Sequence, residues 1–306
     1  MLFANYFQDW IELYKKGAVS PVTYEKYKGT LKSLRAIAPT ITLQDVSKRE
    51  YQKILNSYAE THAKQTVKDF HTHLKAAIID AIDEGIIAAN PCRKVELKGC
   101  AQKKTPPKYL SAAEAARLMS VLDVDASKWD LLILICLKTG LRFAEAVGLT
   151  VDSFDFNEAT IAVNQTYDYK ITQSIILETK TKSSKRKIVI DNDLCKLIKK
   201  HIVNIPSGVS IFAVDRKHIF SGYAIKRLRV LCKKADTPPI GIHGLRHTHA
   251  SILFSNGVSL NSISRRLGHA KPSITQDTYL HIIKELEDAD NEKIMGALTS
   301  ISAVST

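Results

Sequence analysis

A chain of 306 residues, 45% hydrophobic and 25% charged, has room for two domains with apolar cores of their own, and that balance excludes a disordered or fibrous protein. Its 44 basic side chains outweigh 31 acidic ones for a formal charge of +13, so a polyanion is the expected partner, with DNA or RNA ahead of an anionic membrane. No run approaches the ~20 apolar residues of a membrane span, the start lacks a signal-peptide pattern, and the five cysteines are scattered without a C-x-x-C pair, which predicts a reducing cytoplasm, no membrane partner and no zinc site.

The first hundred residues read as helices only. Over residues 2–15, Phe3, Tyr6, Phe7, Trp10, Ile11 and Tyr14 recur at three- and four-residue steps and make an apolar stripe. Ser20 before Pro21 starts a second helix, with serine as cap and proline at the first helical position. Ser47 with Glu50 has the spacing of a capping box for a third, and residues 65–86 read as a long fourth. Lys26, Lys28, Lys32, Lys64, Lys68 and Lys75 give this bundle a basic surface. Residues 98–108 are polar and basic and contain Pro106-Pro107, which predicts an exposed linker between one domain at 1–97 and another at 109–306. Beyond it Ser111 and Glu114 cap a helix, and 129–138 is a strongly apolar helix running into Thr139-Gly140. Then the period changes. Segments 159–166, 170–178 and 187–191 are rich in Ile, Val and Thr, as strands are, and helical patterns resume from residue 192. The expected fold class is mainly α with one small antiparallel β-sheet. Cys136 and Cys195 fall inside apolar helical patterns and read as buried thiols.

Residues 216–234 carry seven basic side chains and no acidic one, and 221–234 read as a helix with Tyr223, Ile225, Leu228 and Leu231 turned inward. Its Lys226, Arg227 and Arg229 are expected to meet a nucleic-acid backbone.

Three further segments point to one chemistry when taken together. Arg142 and Glu145 follow Thr139-Gly140; His243 and Arg246 form an H-x-x-R pair; His269 lies 23 residues beyond Arg246 and Tyr279 ten beyond His269. His243, His247 and His249 have no acidic or cysteine ligand beside them, so no metal is expected.

In this order and spacing the residues resemble the tyrosine recombinase (phage integrase) family, nearest to the integrases of prophages and integrative mobile elements. The resemblance runs over nearly the whole chain. It implies a helical core-binding domain that clamps DNA, then a mixed α/β catalytic domain with a tail from about residue 284. It further implies cleavage and rejoining of duplex DNA through a 3′-phosphotyrosyl intermediate and a Holliday junction. Tyr279 is then the nucleophile, Arg142 and Arg246 the clamp on the phosphate, His243 the proton acceptor and His269 a hydrogen-bond donor to a phosphate oxygen. Glu145, one helical turn from Arg142, is expected to hold that arginine or tune His243.

A tyrosine hydroxyl of pKa near ~10 is a poor nucleophile at neutral pH, and the phosphodiester anion repels a phenolate. Two guanidiniums answer both problems by neutralising the phosphate and stabilising the extra charge of the transition state. The family also uses a hairpin lysine as general acid. Lys180 fits that place best, Lys182 competes for it, and Lys182, Lys185 and Arg186 are expected on the DNA backbone, as are Lys26 and Lys68. No cofactor is implied. The implied partners are double-stranded DNA at core sites, three further copies of the chain in a tetramer on DNA (a monomer when free), and accessory directionality and DNA-bending proteins. The implied place is the bacterial cytoplasm at the nucleoid, or a host cytoplasm if phage-encoded. A topoisomerase-like enzyme with the same nucleophile, or a DNA-binding factor with a dead site, is the alternative.

Overall fold

The computed structural model describes residues 1–100, 109–168, 175–178 (backbone only), 185–214 and 219–269. The chain divides into two compact units, Met1–Thr105 and Pro106–Thr306.

In the first unit four helices pack through the stripe seen in the sequence: α1 Phe3–Tyr14, α2 Pro21–Ile37, α3 Lys48–Ala59 and α4 Lys64–Asp83. Phe3, Phe7, Trp10, Leu34, Tyr51, Leu74 and Ile78 form its core. Ser20 caps α2 by accepting from the Thr23 amide, with Pro21 at the first position. At α3 half of the expected capping box forms. Ser47 accepts from the Glu50 amide, while the Glu50 carboxylate turns to Lys53 at 2.7 Å. Polar bonds seat α1 on α4: Trp10 Nε1 donates to Asp80 at 2.6 Å, and the Tyr6 and Tyr14 hydroxyls both donate to Glu84 at 3.1 Å. Lys26, Lys28, Lys32, Lys64, Lys68 and Lys75 are all exposed.

The second unit is built around α6, Lys128–Thr139. Leu131, Leu132, Ile133, Ile135, Cys136 and Leu137 are buried, so the helix is apolar on nearly every face and belongs at the centre of a core. Around it lie α5 Ala112–Ser120, α7 Phe143–Val147, α8 Asn192–Ile202, α9 Ser221–Lys234, α10 Ile242–Ser255 and α11 Leu260–Leu267. The capping box at Ser111 and Glu114 forms in full.

The strands are antiparallel, but they make two small ladders where one sheet was expected. β1 Phe154–Asp155, β2 Thr160–Val163 and β5 Arg186–Val189 form the first, and β3 Gln165–Asp168 with β4 Ile175–Glu178 the second. The expected strand 159–166 is therefore cut at Asn164. The register gives the reason: Val163 pairs with Arg186 and Gln165 with Glu178. From one pair to the other the numbering advances by two on the outgoing chain and by eight on the return, from 178 to 186, and no continuous ladder accommodates that difference.

On α9 the buried stripe is Ala224, Leu228, Leu231 and Cys232. Tyr223, expected inward, is 58% exposed, because its ring lies along Trp129 at the surface, 6.0 Å between centroids. Arg227 has a partner the sequence did not show. Its Nε and Nη2 donate to the two oxygens of fully buried Asp130 at 2.6 and 2.8 Å, which ties this guanidinium to the fold while its side chain stays 35% exposed. Burial opposes the Asp130 charge, but the Arg227 hydrogen bonds, the Asp123 amide and the Arg227 charge more than offset it and hold the carboxyl below its ordinary range.

Arg227→Met strands that carboxylate. Stability at pH 7 is expected to fall by about 3 kcal/mol. The difference from the wild type should shrink as pH falls below the ordinary carboxyl range: the paired wild type loses its gain there, and protonation relieves the buried charge of the variant. Urea titrations at pH 7 and pH 3 check this; an equal loss at both excludes the stranded charge as its cause.

Candidate active site

The site begins where α6 ends. Gly140 adopts φ 70°, and a Cβ there would lie 2.7 Å from side-chain carbons of both His249 and Leu267. Glycine alone supplies the left-handed turn and the close approach. Two residues on, Arg142 is the N-cap of α7. Glu145, three positions later, accepts from the Arg142 amide through Oε2 at 3.0 Å and from Arg142 Nη1 through Oε1 at 2.7 Å. The expected tie between this pair is present.

α11 ends in the same way, at Gly268 with φ 69°. Its last carbonyls receive three arginines in succession. Arg186 Nε donates to Arg266 O at 2.6 Å, Arg246 Nη2 to Leu267 O at 2.7 Å and Arg142 Nη2 to Gly268 O at 3.2 Å. Arg246 also donates through Nη1 to Gly140 O at 2.8 Å, joining the ends of α6 and α11. These acceptors are neutral dipoles at the negative ends of helices. They fix the guanidiniums without cancelling their charge. Arg246 is buried, whereas the Arg142 side chain is 38% exposed and opens the cluster to solvent.

His243 and His269 lie under this charge. His243, in the first turn of α10, is exposed, and its ring meets that of His247 edge-on at 4.8 Å. Loss of solvent on its inner side, then the charges of Arg246 and Arg142, lower its pKa; Glu145 opposes them. His269 is half-buried just past Gly268, and burial followed by the same two arginines pushes it down to about 4. Both imidazoles are therefore neutral at pH 7. A neutral imidazole accepts a proton through one nitrogen and donates through the other. The described part of the site offers a cationic cradle for an oxyanion beside two groups able to handle protons.

The structure thus brings together Arg142, Glu145, His243, Arg246 and His269. Lys180, Lys182 and Tyr279 lie outside the described residues. Lys185 is exposed before β5, and Lys226 and Arg229 are exposed on α9. Arg186, expected on the DNA backbone, has partners inside the fold. Its side chain is 7% exposed and forks onto Glu145, Nη2 to Oε2 at 2.9 Å and Nη1 to Oε1 at 3.3 Å. Its sequence neighbourhood, a run of basic residues, carries no sign of that burial. Sequence reasoning also missed Arg266 and His249. The His249 Nδ1–H donates to Leu137 O at 2.9 Å, and its Nε2 accepts from Arg266 Nε at 2.9 Å. Burial, then the Arg266 charge, hold this histidine down to about 3. Among the described residues no group of three or more His, Cys, Asp or Glu is arranged to hold a metal ion.

Residues 108–285 match the Phage integrase family, and residues 2–97 match a phage integrase SAM-like domain. A tyrosine recombinase XerC-like protein of Caldanaerobacter subterraneus subsp. tengcongensis is 27% identical over 300 residues, 86% of this chain and 75% of its own length. The ICEBs1 integrase of Bacillus subtilis is 27% identical over 266 residues, 81% of this chain and 71% of its own. Among solved structures, the Tn1549 transposon integrase in complex with transposon right end DNA superposes with a TM-score of 0.80 at 22% identity, covering 96% of this chain and 100% of that one. A lambda integrase dimer bound to a COC′ core site gives 0.69 at 19%, covering 91% and 95%. These two are likenesses of fold.

Gly140→Ala forces a Cβ against His249 and Leu267 in a left-handed turn. The expected loss of stability is about 2–3 kcal/mol, from overpacking and backbone strain together. A urea midpoint equal to the wild type at unchanged slope contradicts the packing described for this turn.

Proposed function

Because the chain belongs to the phage integrase family, we infer that it is a tyrosine-type site-specific recombinase, cutting and rejoining duplex DNA in the integration and excision of a mobile element. The observation that carries the assignment of roles is the cluster itself: two guanidiniums, Arg246 held on neutral carbonyls and Arg142 on a carbonyl and Glu145, beside two imidazoles that stay uncharged at pH 7.

In the proposed reaction the Tyr279 oxygen attacks the scissile phosphorus while its proton passes to His243. The P–O5′ bond breaks, and Lys180 protonates the departing oxygen, with Lys182 the competitor for that part. Arg142 and Arg246 bind the non-bridging oxygens and stabilise the charge that builds on them, and His269 donates a hydrogen bond to one of them. The free 5′ hydroxyl of a partner strand then attacks the 3′-phosphotyrosine, so the bond energy is conserved in the covalent link. Glu145 orients Arg142 through its side chain and its amide.

Double-stranded DNA is the substrate, in keeping with the +13 charge and with the DNA in the complexes of the Tn1549 and lambda integrases. The working assembly is a tetramer, by analogy with a lambda integrase tetramer bound to a Holliday junction. The first unit, with Lys26 and Lys68 exposed, clamps the core site, and accessory directionality and DNA-bending proteins act with it. No helix among the described residues is long and apolar enough to cross a membrane; the proposed place of action is the cytoplasm. Nothing observed favours a topoisomerase-like reading.

On a nicked suicide substrate the wild type is expected to accumulate a covalent protein–DNA adduct and Tyr279→Phe none. An adduct that persists in the variant removes Tyr279 from the role. Arg246→Lys should keep DNA binding while cleavage falls about 100- to 1000-fold, the usual loss for one oxyanion donor; wild-type rates would contradict the clamp.

The pH dependence follows from His243. Its pKa lies below the ordinary 6.5, and it accepts a proton only when neutral, so single-turnover cleavage should stay level through pH 7 and decline on acidification with a midpoint under 6.5. A midpoint above pH 7 would exclude His243 as the acceptor.

A further inference from the structure

Glu145 is the carboxylate of the cluster, and its side chain is only 5% exposed. Water screens little of its charge, so the surrounding side chains must match it. Two arginines do so from different elements. Arg142 reaches Oε1 from the N-cap of α7, and Arg186 reaches both oxygens from the first residue of β5. The two differ in exposure. The Arg142 side chain is 38% exposed and opens toward the phosphate cradle. Arg186 is 7% exposed, its backbone is paired with Val163 in the ladder, and its Nε is fixed on Arg266 O. Its donors are turned into the protein, not to solvent.

Resting on the recombinase reading, we propose that Arg186 is a positioning residue for the phosphate clamp: its fork takes up the Glu145 charge, so that Arg142, though bonded to the same carboxylate, remains a net cation toward the scissile phosphate. With Arg142 alone, Glu145 would form a one-to-one pair with the very guanidinium the reaction needs. With Arg186 present, the carboxylate aligns Arg142 without cancelling it. The Glu145 pKa agrees with this. Burial works against its charge, yet the Arg186 hydrogen bonds and charge, followed by the Arg142 charge, hold the carboxyl below its ordinary range.

The charge argument separates this role from a purely architectural one. An uncharged methylphosphonate at the scissile position makes less demand on the clamp's net charge than a phosphate does. Single-turnover cleavage by the full chain is therefore measured on nicked suicide substrates carrying either linkage, for the wild type, Arg186→Gln and Arg186→Lys, with DNA affinity measured in parallel. Arg186→Gln should bind DNA within about threefold of the wild type, with an unchanged salt slope. It should cleave the phosphate substrate about 100-fold more slowly, the scale of loss when a reacting group is misplaced, and the methylphosphonate with a loss at least tenfold smaller. Arg186→Lys keeps the charge and should recover most of the phosphate cleavage.

Equal losses on both linkages, no loss on phosphate, or a Lys variant as slow as the Gln variant would each overturn the proposal. So would a drop in DNA affinity with a salt slope smaller by about one, which would make Arg186 a backbone contact after all. If Arg186→Gln does not fold, Arg186→Lys decides: it must keep the wild-type ratio between the two linkages, and a ratio shifted against phosphate refutes the assignment. A wild type that forms no adduct with the phosphate substrate refutes the recombinase reading itself, a result distinct from all of these.

Discussion

Three guanidiniums on three successive carbonyls at the end of α11 are the constraint from which the rest of the second unit follows. Arg142 comes from the cap of α7, Arg186 from β5 and Arg246 from α10, and all converge on Arg266 O, Leu267 O and Gly268 O. A helix end exposes carbonyls without partners inside the helix and carries partial negative charge. Closing it with arginines satisfies those carbonyls and at the same moment fixes three cations side by side. Repulsion among the cations is held in check by Glu145 and by the helix end, and neither cancels them all. Such a cluster is poised for an anion.

Burial and the same charges together set the protonation of their neighbours. An imidazole partly withdrawn from solvent beside Arg142 and Arg246 gains little by becoming a cation, so the pKa of His243 is lowered and that of His269 falls to about 4. Phosphate binding and proton handling are thus one electrostatic arrangement. An anion bound by the arginines would answer their charge and ease the penalty on a protonated imidazole beside them.

What the sequence reveals follows from how local its causes are. The aromatic stripe of α1, the Ser20-Pro21 start of α2 and the Ser111–Glu114 box at α5 depend on neighbours within one or two helical turns, and each was legible. So was the tie of Arg142 to Glu145. The break at Asn164 was hidden because it arises from register with a distant return strand. The partners of Arg186 and Arg227 were hidden for a related reason. A basic residue in a basic run shows its charge but not its partner, and those partners, Glu145 and Asp130, lie 41 and 97 positions away. Half-formed boxes such as Ser47 and Glu50 show that even a local signal yields when a closer cation competes.

The cradle is also held from behind. Arg266, one residue before the Leu267 carbonyl that anchors Arg246, turns to the opposite side and donates to His249 Nε2, to Val189 O at 3.0 Å and to Lys138 O at 3.4 Å. His249 in turn holds Leu137 O and packs on Gly140. A neutral histidine is required here, since a protonated ring could not accept from Arg266, and its low pKa keeps it so. The ends of α6, β5 and α11 are therefore bound to one another through Arg266 and His249. The carbonyls that hold Arg246 cannot shift without straining this network, so two residues the sequence did not single out for the site help fix the geometry of that guanidinium.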